Sequence, residues 1–152
     1  MPSSLLRAGA VAAFAVLTLT LAGCVDAPKP TPTSTFDETT PPVDPEIDLD
    51  GSATDNHAFF DFINTELIEA GGTLDGRAFI DNLVSAGYPK SDLEVTPDTT
   101  AINIAADNIQ FAVRLNGTCL IGQYGNIGYA STTAELLSTG RCLVGATRPI
   151  DW

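Results

Sequence analysis

The 152-residue chain carries 19 acidic against 7 basic side chains, a formal net charge of −12, and such a surface repels nucleic acid and anionic lipid head groups. Nucleic-acid binding is thereby excluded as the expected function. A single histidine and three cysteines without a Cys-X-X-Cys pair argue against zinc and redox chemistry.

The chain opens with Arg7 as the only charge ahead of an uncharged run, Ala8 to Ala22, rich in Ala, Val, Leu and Phe. This is the pattern of an export signal. Leu21-Ala22-Gly23-Cys24 resembles the lipobox of bacterial lipoproteins, which implies cleavage after residue 23 and a diacylglyceryl group on Cys24. The alternative is an uncleaved membrane helix, since the apolar run reaches the lower edge of spanning length. Two acyl chains make attachment stable where one does not, so the expected location is the outer face of the cell membrane, with the membrane as a partner through Cys24.

Residues 24–54 carry six prolines among Thr, Ser and acids, with Lys29 as the only base. So few large apolar residues cannot offset the entropy of ordering, and the segment reads as an acidic, disordered tether. Within it, Glu46-Ile47-Asp48-Leu49-Asp50-Gly51 resembles an EF-hand loop. Glu46 stands where Asp is usual, His57 where the bidentate Glu belongs, and Pro42 and Pro45 bar an incoming helix. A calcium site at Asp48 and Asp50 stays open, with an acidic linker and an Asp55 or Asn56 helix cap preferred.

From residue 55 to 152 a single globular domain is expected. His57 to Ala70 spaces Phe59, Phe60, Ile63, Leu67 and Ala70 by threes and fours, an amphipathic helix stopped by Gly71-Gly72. A second helix, about Asp75 to Ala86, carries Phe79, Ile80, Leu83 and Val84 and stops at Gly87 and Pro89. The period then becomes alternating: Leu93 and Val95, then Ile102 and Ile104, read as strands, with a turn at Asp107-Asn108. Ile109 to Leu115 and Thr118 to Tyr124 flank Asn116-Gly117, a strong two-residue hairpin signal. Registering these turns gathers Ile102, Ile104, Phe111, Val113 and Leu120 on one face and Asn103, Gln110, Arg114, Cys119 and Gln123 on the other. Ala112 and Ile121 interrupt the polar face, so a further segment is expected to cover part of it. Gly122 to Gly128 reads as a flexible loop, Thr132 to Ser138 as a short helix with Leu136 and Leu137 inward, and Cys142 to Val144 as a strand or extended segment. Cys119 and Cys142, an even pair in an exported chain, are expected to form a disulfide, two buried thiols being the alternative.

For chemistry the residues offer little. His57 and Asp61 share a helix face but make only two ligands, and one histidine at the domain edge argues against a Ser/His/Asp triad. Glu66 and Glu69 read as a solvated face. Tyr124 and Tyr129 around the glycine segment, with Arg148 and Trp152 near the C-terminus, are the side chains typical of binding hot spots. The competing reading of Trp152 is a ring packed against the domain.

Ala86-Gly87-Tyr88, Gln110 to Arg114, Cys119 to Gln123, Cys142 to Gly145 and Ile150-Asp151-Trp152 together resemble an uncharacterised family of actinobacterial lipoprotein domains, over about Phe79 to Trp152. The resemblance implies an envelope location and transfers no catalytic residue. The expected fold is α+β: N-terminal helices packed on one face of a small antiparallel β-meander, with a disulfide to the C-terminal strand. The expected function is a non-catalytic accessory or binding module, without a cofactor, whose partner is an envelope protein or glycan. A small hydrolase using carboxylates and a structural spacer are the alternatives, the hydrolase marked by acids converging on a cleft from different elements.

Overall fold

A computed structural model of the chain describes residues 43–152; the segment expected to be an export signal, Cys24 and the expected tether up to residue 42 lie outside the described residues. Helices α1 (Ala53–Ala70) and α2 (Gly76–Ser85) pack on one face of a sheet whose strands β1 (Leu93–Val95), β2 (Asn108–Leu115), β3 (Thr118–Gly125) and β4 (Gly128–Glu135) lie in sequential antiparallel order. This is the expected α+β meander.

Helix α1 begins earlier than its apolar spacing predicts. Ser52, rather than Asp55 or Asn56, caps it, and Asp55 returns a hydrogen bond from the third helical position, a reciprocal capping box. The Ser52 hydroxyl and amide hold the Asp55 carboxyl below the usual carboxylate range. That capping contribution is therefore present above the ordinary carboxylate pKa and fades as pH falls through the lowered one.

The end of the expected tether is corrected by the same region. Ile47 packs on the core, and the buried Asn56 side chain accepts from Asp48 N at 2.8 Å and donates to Asp48 O at 2.6 Å. Asn116 donates to Leu49 O and Gly51 O at 3.1 and 2.8 Å. Composition gave no sign of this, because the anchoring partners are side chains distant in sequence. Asp48 Oδ1 accepts from the backbone of Asp50 and Gly51, each at 3.1 Å, and so closes a turn. Among the described residues no group of three His, Cys, Asp or Glu side chains could hold a metal ion.

The core lies between helices and sheet. Phe60, Phe79, Ile80, Leu83, Val95, Phe111, Val113 and Leu120 are fully buried there, and Phe79 stacks on Phe111 at 4.3 Å between ring centroids. Asn64 is buried too, its amide donating to Phe60 O at 2.8 Å, which satisfies the buried group. Tyr88 is 1 % exposed and its hydroxyl has no hydrogen-bond partner among the described residues. Burial alone pushes this phenol well above its ordinary range. An unpaired buried hydroxyl costs about 1–3 kcal/mol, so Tyr88→Phe is expected to raise stability by about 1 kcal/mol in urea unfolding. A loss of comparable size would show that the hydroxyl is satisfied in solution.

The Asn116-Gly117 hairpin forms as expected, with φ of 44° and 85° at its two turn residues and 115 opposite 118, 113 opposite 120 and 111 opposite 122. Ile102 and Ile104 do not join it. The edge of β2 that they were expected to take belongs to β1, with Leu93 opposite Val113 and Val95 opposite Phe111, and the two isoleucines are 78 % and 57 % exposed. A strand has only two edges, and β3 holds the other.

The glycine segment is likewise not a loop. Strand β3 continues through it to Gly125, Asn126-Ile127 makes a tight turn, and β4 replaces the helix expected at 132–138. Threonines at 132 and 133 favour the extended backbone. Cys119 and Cys142 form the expected disulfide. Cys142 to Val144, expected as a strand or extended segment, instead bend after β4 and join no strand of the sheet; Glu94 holds them, accepting from Cys142 N at 2.8 Å and Leu143 N at 3.0 Å. Ala112, Cys119, Cys142 and Leu143, flanked by Ile121 and Leu136, form a second small core on the outer sheet face. This is the cover that Ala112 and Ile121 called for.

Candidate functional site

The four residues expected to form a binding surface divide into two groups. Tyr124 and Tyr129 are cross-strand neighbours on the helix-facing side of β3 and β4. Arg148 and Trp152 sit beside α2, on a different face of that helix from Phe79, which packs against Tyr124 at 5.4 Å.

Trp152 is fastened rather than presented. Its indole N–H donates to Asp81 at 2.8 Å, and the Arg148, Arg77 and Lys90 cations stand 4.8, 5.4 and 5.8 Å from the ring centre. Cation–π contacts at such distances favour one ring position. Arg148 also pairs with Asp98 at 2.8 Å, and its backbone N–H donates to Val95 O. Together these contacts seal residues 147–152 along β1 and α2.

Tyr129 belongs to a polar cluster that spacing could not reveal. Its hydroxyl donates to Asp61 Oδ1 at 2.8 Å, and the Ser131 hydroxyl donates to the same oxygen at 2.5 Å. His57 Nε2 lies 2.7 Å from Ser131 Oγ and 3.6 Å from Asp61 Oδ2. Burial first, and then the Asp61 carboxylate, push the Tyr129 phenol above its ordinary range. Serine, histidine and aspartate thus meet, but in the wrong order for nucleophilic catalysis. The one Ser131 proton goes to Asp61, so His57 Nε2 must donate to Ser131 rather than withdraw its proton, and Asp61 does not orient the other ring nitrogen. The cluster fastens α1 to β4. Sequence reasoning missed Ser131 because it placed that residue beside a helix.

Tyr124 lines a cleft of about 350 Å³ at the end of the sheet away from the Asn116-Gly117 turn. Leu74, Ile109 and Tyr124 supply apolar surface, and carboxylates come from Asp75 at the start of α2 and from Asp98 and Asp107 at the two ends of the β1–β2 loop. Each carboxylate already has a structural duty: Asp75 caps α2 through Ala78 N at 2.8 Å, Asp98 accepts from Gly76 N at 2.7 Å, and Asp107 accepts from the Asn126 amide at 3.1 Å. Glu66 and Glu69, by contrast, are exposed on α1.

No curated protein and no solved structure matches the chain. A family model does match, over residues 64–146, more than half of the chain, and that span contains Cys119, Cys142, Tyr124, Tyr129 and the cleft while leaving Arg148 and Trp152 beyond it. The disulfide-bonded meander with its acidic cleft belongs to the family described as Domain of unknown function (DUF6993).

Proposed function

We propose that the chain is a lipid-anchored, non-catalytic binding module held at the outer face of the cell membrane. The observation that carries the anchoring is Leu21-Ala22-Gly23-Cys24 at the end of an uncharged apolar run. The disulfide supports an oxidising compartment. Among the described residues no helix is long and apolar enough to cross a membrane. Wild-type chain is expected to sediment with membranes and incorporate labelled palmitate, and Cys24→Ala to do neither. A Cys24→Ala chain as firmly bound as wild type would return the uncleaved helix.

A second reading, a small hydrolase working with carboxylates, draws support from Asp75, Asp98 and Asp107 around one cleft. Binding is preferred because all three carboxylates are engaged in holding loops, whereas a general acid or base needs its proton site free for substrate.

A further inference from the structure

Two loops meet at the cleft end of the sheet, and both are rigidly built. In the first, Thr99 bridges Ala105, Thr100 N donates to Ile104 O at 2.8 Å, Asn103 N to Thr100 O at 2.9 Å, and Ala106 N to Asp98 O at 2.9 Å. Asn103 takes a left-handed φ of 63° at its tip. In the second, Asn126 donates from its backbone to Asp107 O at 3.0 Å and from its side chain to Asp107 Oδ1, locking the β3–β4 turn against the first loop. Gly125 permits this approach, since a Cβ there would come within 2.1 Å of Asp107 O.

These loops hold apolar side chains in water. Ile102, Ile104 and Ile127 are 78 %, 57 % and 76 % exposed, and burying one such side chain is worth roughly 1.5–3 kcal/mol. The same two loops supply Asp98, Ala106, Asp107, Gly125 and Asn126 to the lining of the cleft, whose carboxylates Asp75 and Asp107 form no ion pair among the described residues.

We propose that this pole is the docking surface for a cationic protein segment, one that lays apolar side chains over Ile102, Ile104 and Ile127 and sets a lysine or arginine against Asp75 and Asp107 beside Tyr124. The inference rests on the reading of the chain as a binding module and names its surface and partner chemistry. Charge selects the occupant. A second copy brings another net −12 and its own cleft carboxylates, and an anionic bilayer is repelled by the same groups. A basic segment is drawn in by them, and the pre-formed loops lose little freedom on binding.

The test uses the full chain in neutral detergent and two labelled peptides with the same apolar core, one flanked by lysines and one by glutamates. In fluorescence anisotropy the lysine-flanked peptide is expected to bind at least tenfold more tightly, with affinity falling as salt rises. Ile102→Ser with Ile104→Ser is expected to weaken it at least tenfold, and Asp107→Asn, which keeps the acceptor for Asn126, several-fold. Equal binding of both peptides, or of wild-type and serine-substituted chains, overturns the proposal. So does binding to phosphatidylglycerol vesicles, or self-association, that depends on the isoleucines. The parent reading has its own readout, photo-crosslinking in intact cells. Crosslinks to a partner only from Trp152 or Tyr129 would remove this surface and keep the binding module; no partner crosslink from any position would remove both.

Discussion

Replacing Cys119 and Cys142 together by alanine is expected to destabilise the domain by about 3–4 kcal/mol, the value for closing a loop of this size in the chain-entropy model; the two residues are 23 apart in sequence. Typical domain stability is roughly 5–15 kcal/mol, so the bridge is a large fraction of the whole. It also has little help. The segment it holds contributes only Cys142 and Leu143, with Leu136 at the margin, to the outer core, and its other main attachment is the Glu94 carboxylate, which Arg141 approaches at 3.6 Å. Guanidinium unfolding with and without reductant should show the loss, and proteolysis between residues 136 and 146 should precede global unfolding in the reduced protein. A drop below about 1 kcal/mol would mean that the outer core holds without its crosslink.

Gly122→Ala is the second large effect. A Cβ at Gly122 would lie 2.4 and 2.5 Å from the Phe111 ring. Phe111 cannot give way, because it is fully buried between Phe79, stacked at 4.3 Å, and Phe60 at 5.8 Å, both themselves fully buried. Overpacking of this kind costs roughly 1–3 kcal/mol. The cause can be isolated by a double-mutant cycle with Phe111→Leu: the alanine should cost much less once the ring is gone. An alanine equally damaging in both backgrounds would point to the backbone of β3 rather than the ring.

Gly122 also shows why part of the chain was hard to read. Glycines at 122, 125 and 128 look like a flexible loop, yet the first makes room for Phe111, the second for the backbone of Asp107, and the third takes a φ of 87° just past a tight turn. Glycine in a sequence marks a backbone position without saying whether freedom or close approach requires it. The hairpin at Asn116-Gly117, by contrast, was legible because turn chemistry there is local. The helices were legible for the same reason, their apolar period being written within one turn. Ala101 to Ala105 alternates as a strand would, but pairing is decided by which segment reaches the edge of β2 first in space, and Leu93 and Val95 lie under α2 where Ile102 and Ile104 do not. Of the candidate site, Tyr124 was found by residue type, whereas Asp75, Asp98 and Asp107 converge only through the fold. Asp98 lies 23 positions after Asp75 and 9 before Asp107, spacings that match no helix or strand period and so leave no local signal.

The fastening of residues 47–51 has a mechanical side. Asn56 grips Asp48 from the first turns of α1, and Asn116 grips Leu49 and Gly51 from the β2–β3 turn. A pull on the chain ahead of residue 47 is therefore shared between α1 and the central hairpin of the sheet. The load enters the sheet at the turn between its two inner strands rather than along an edge strand.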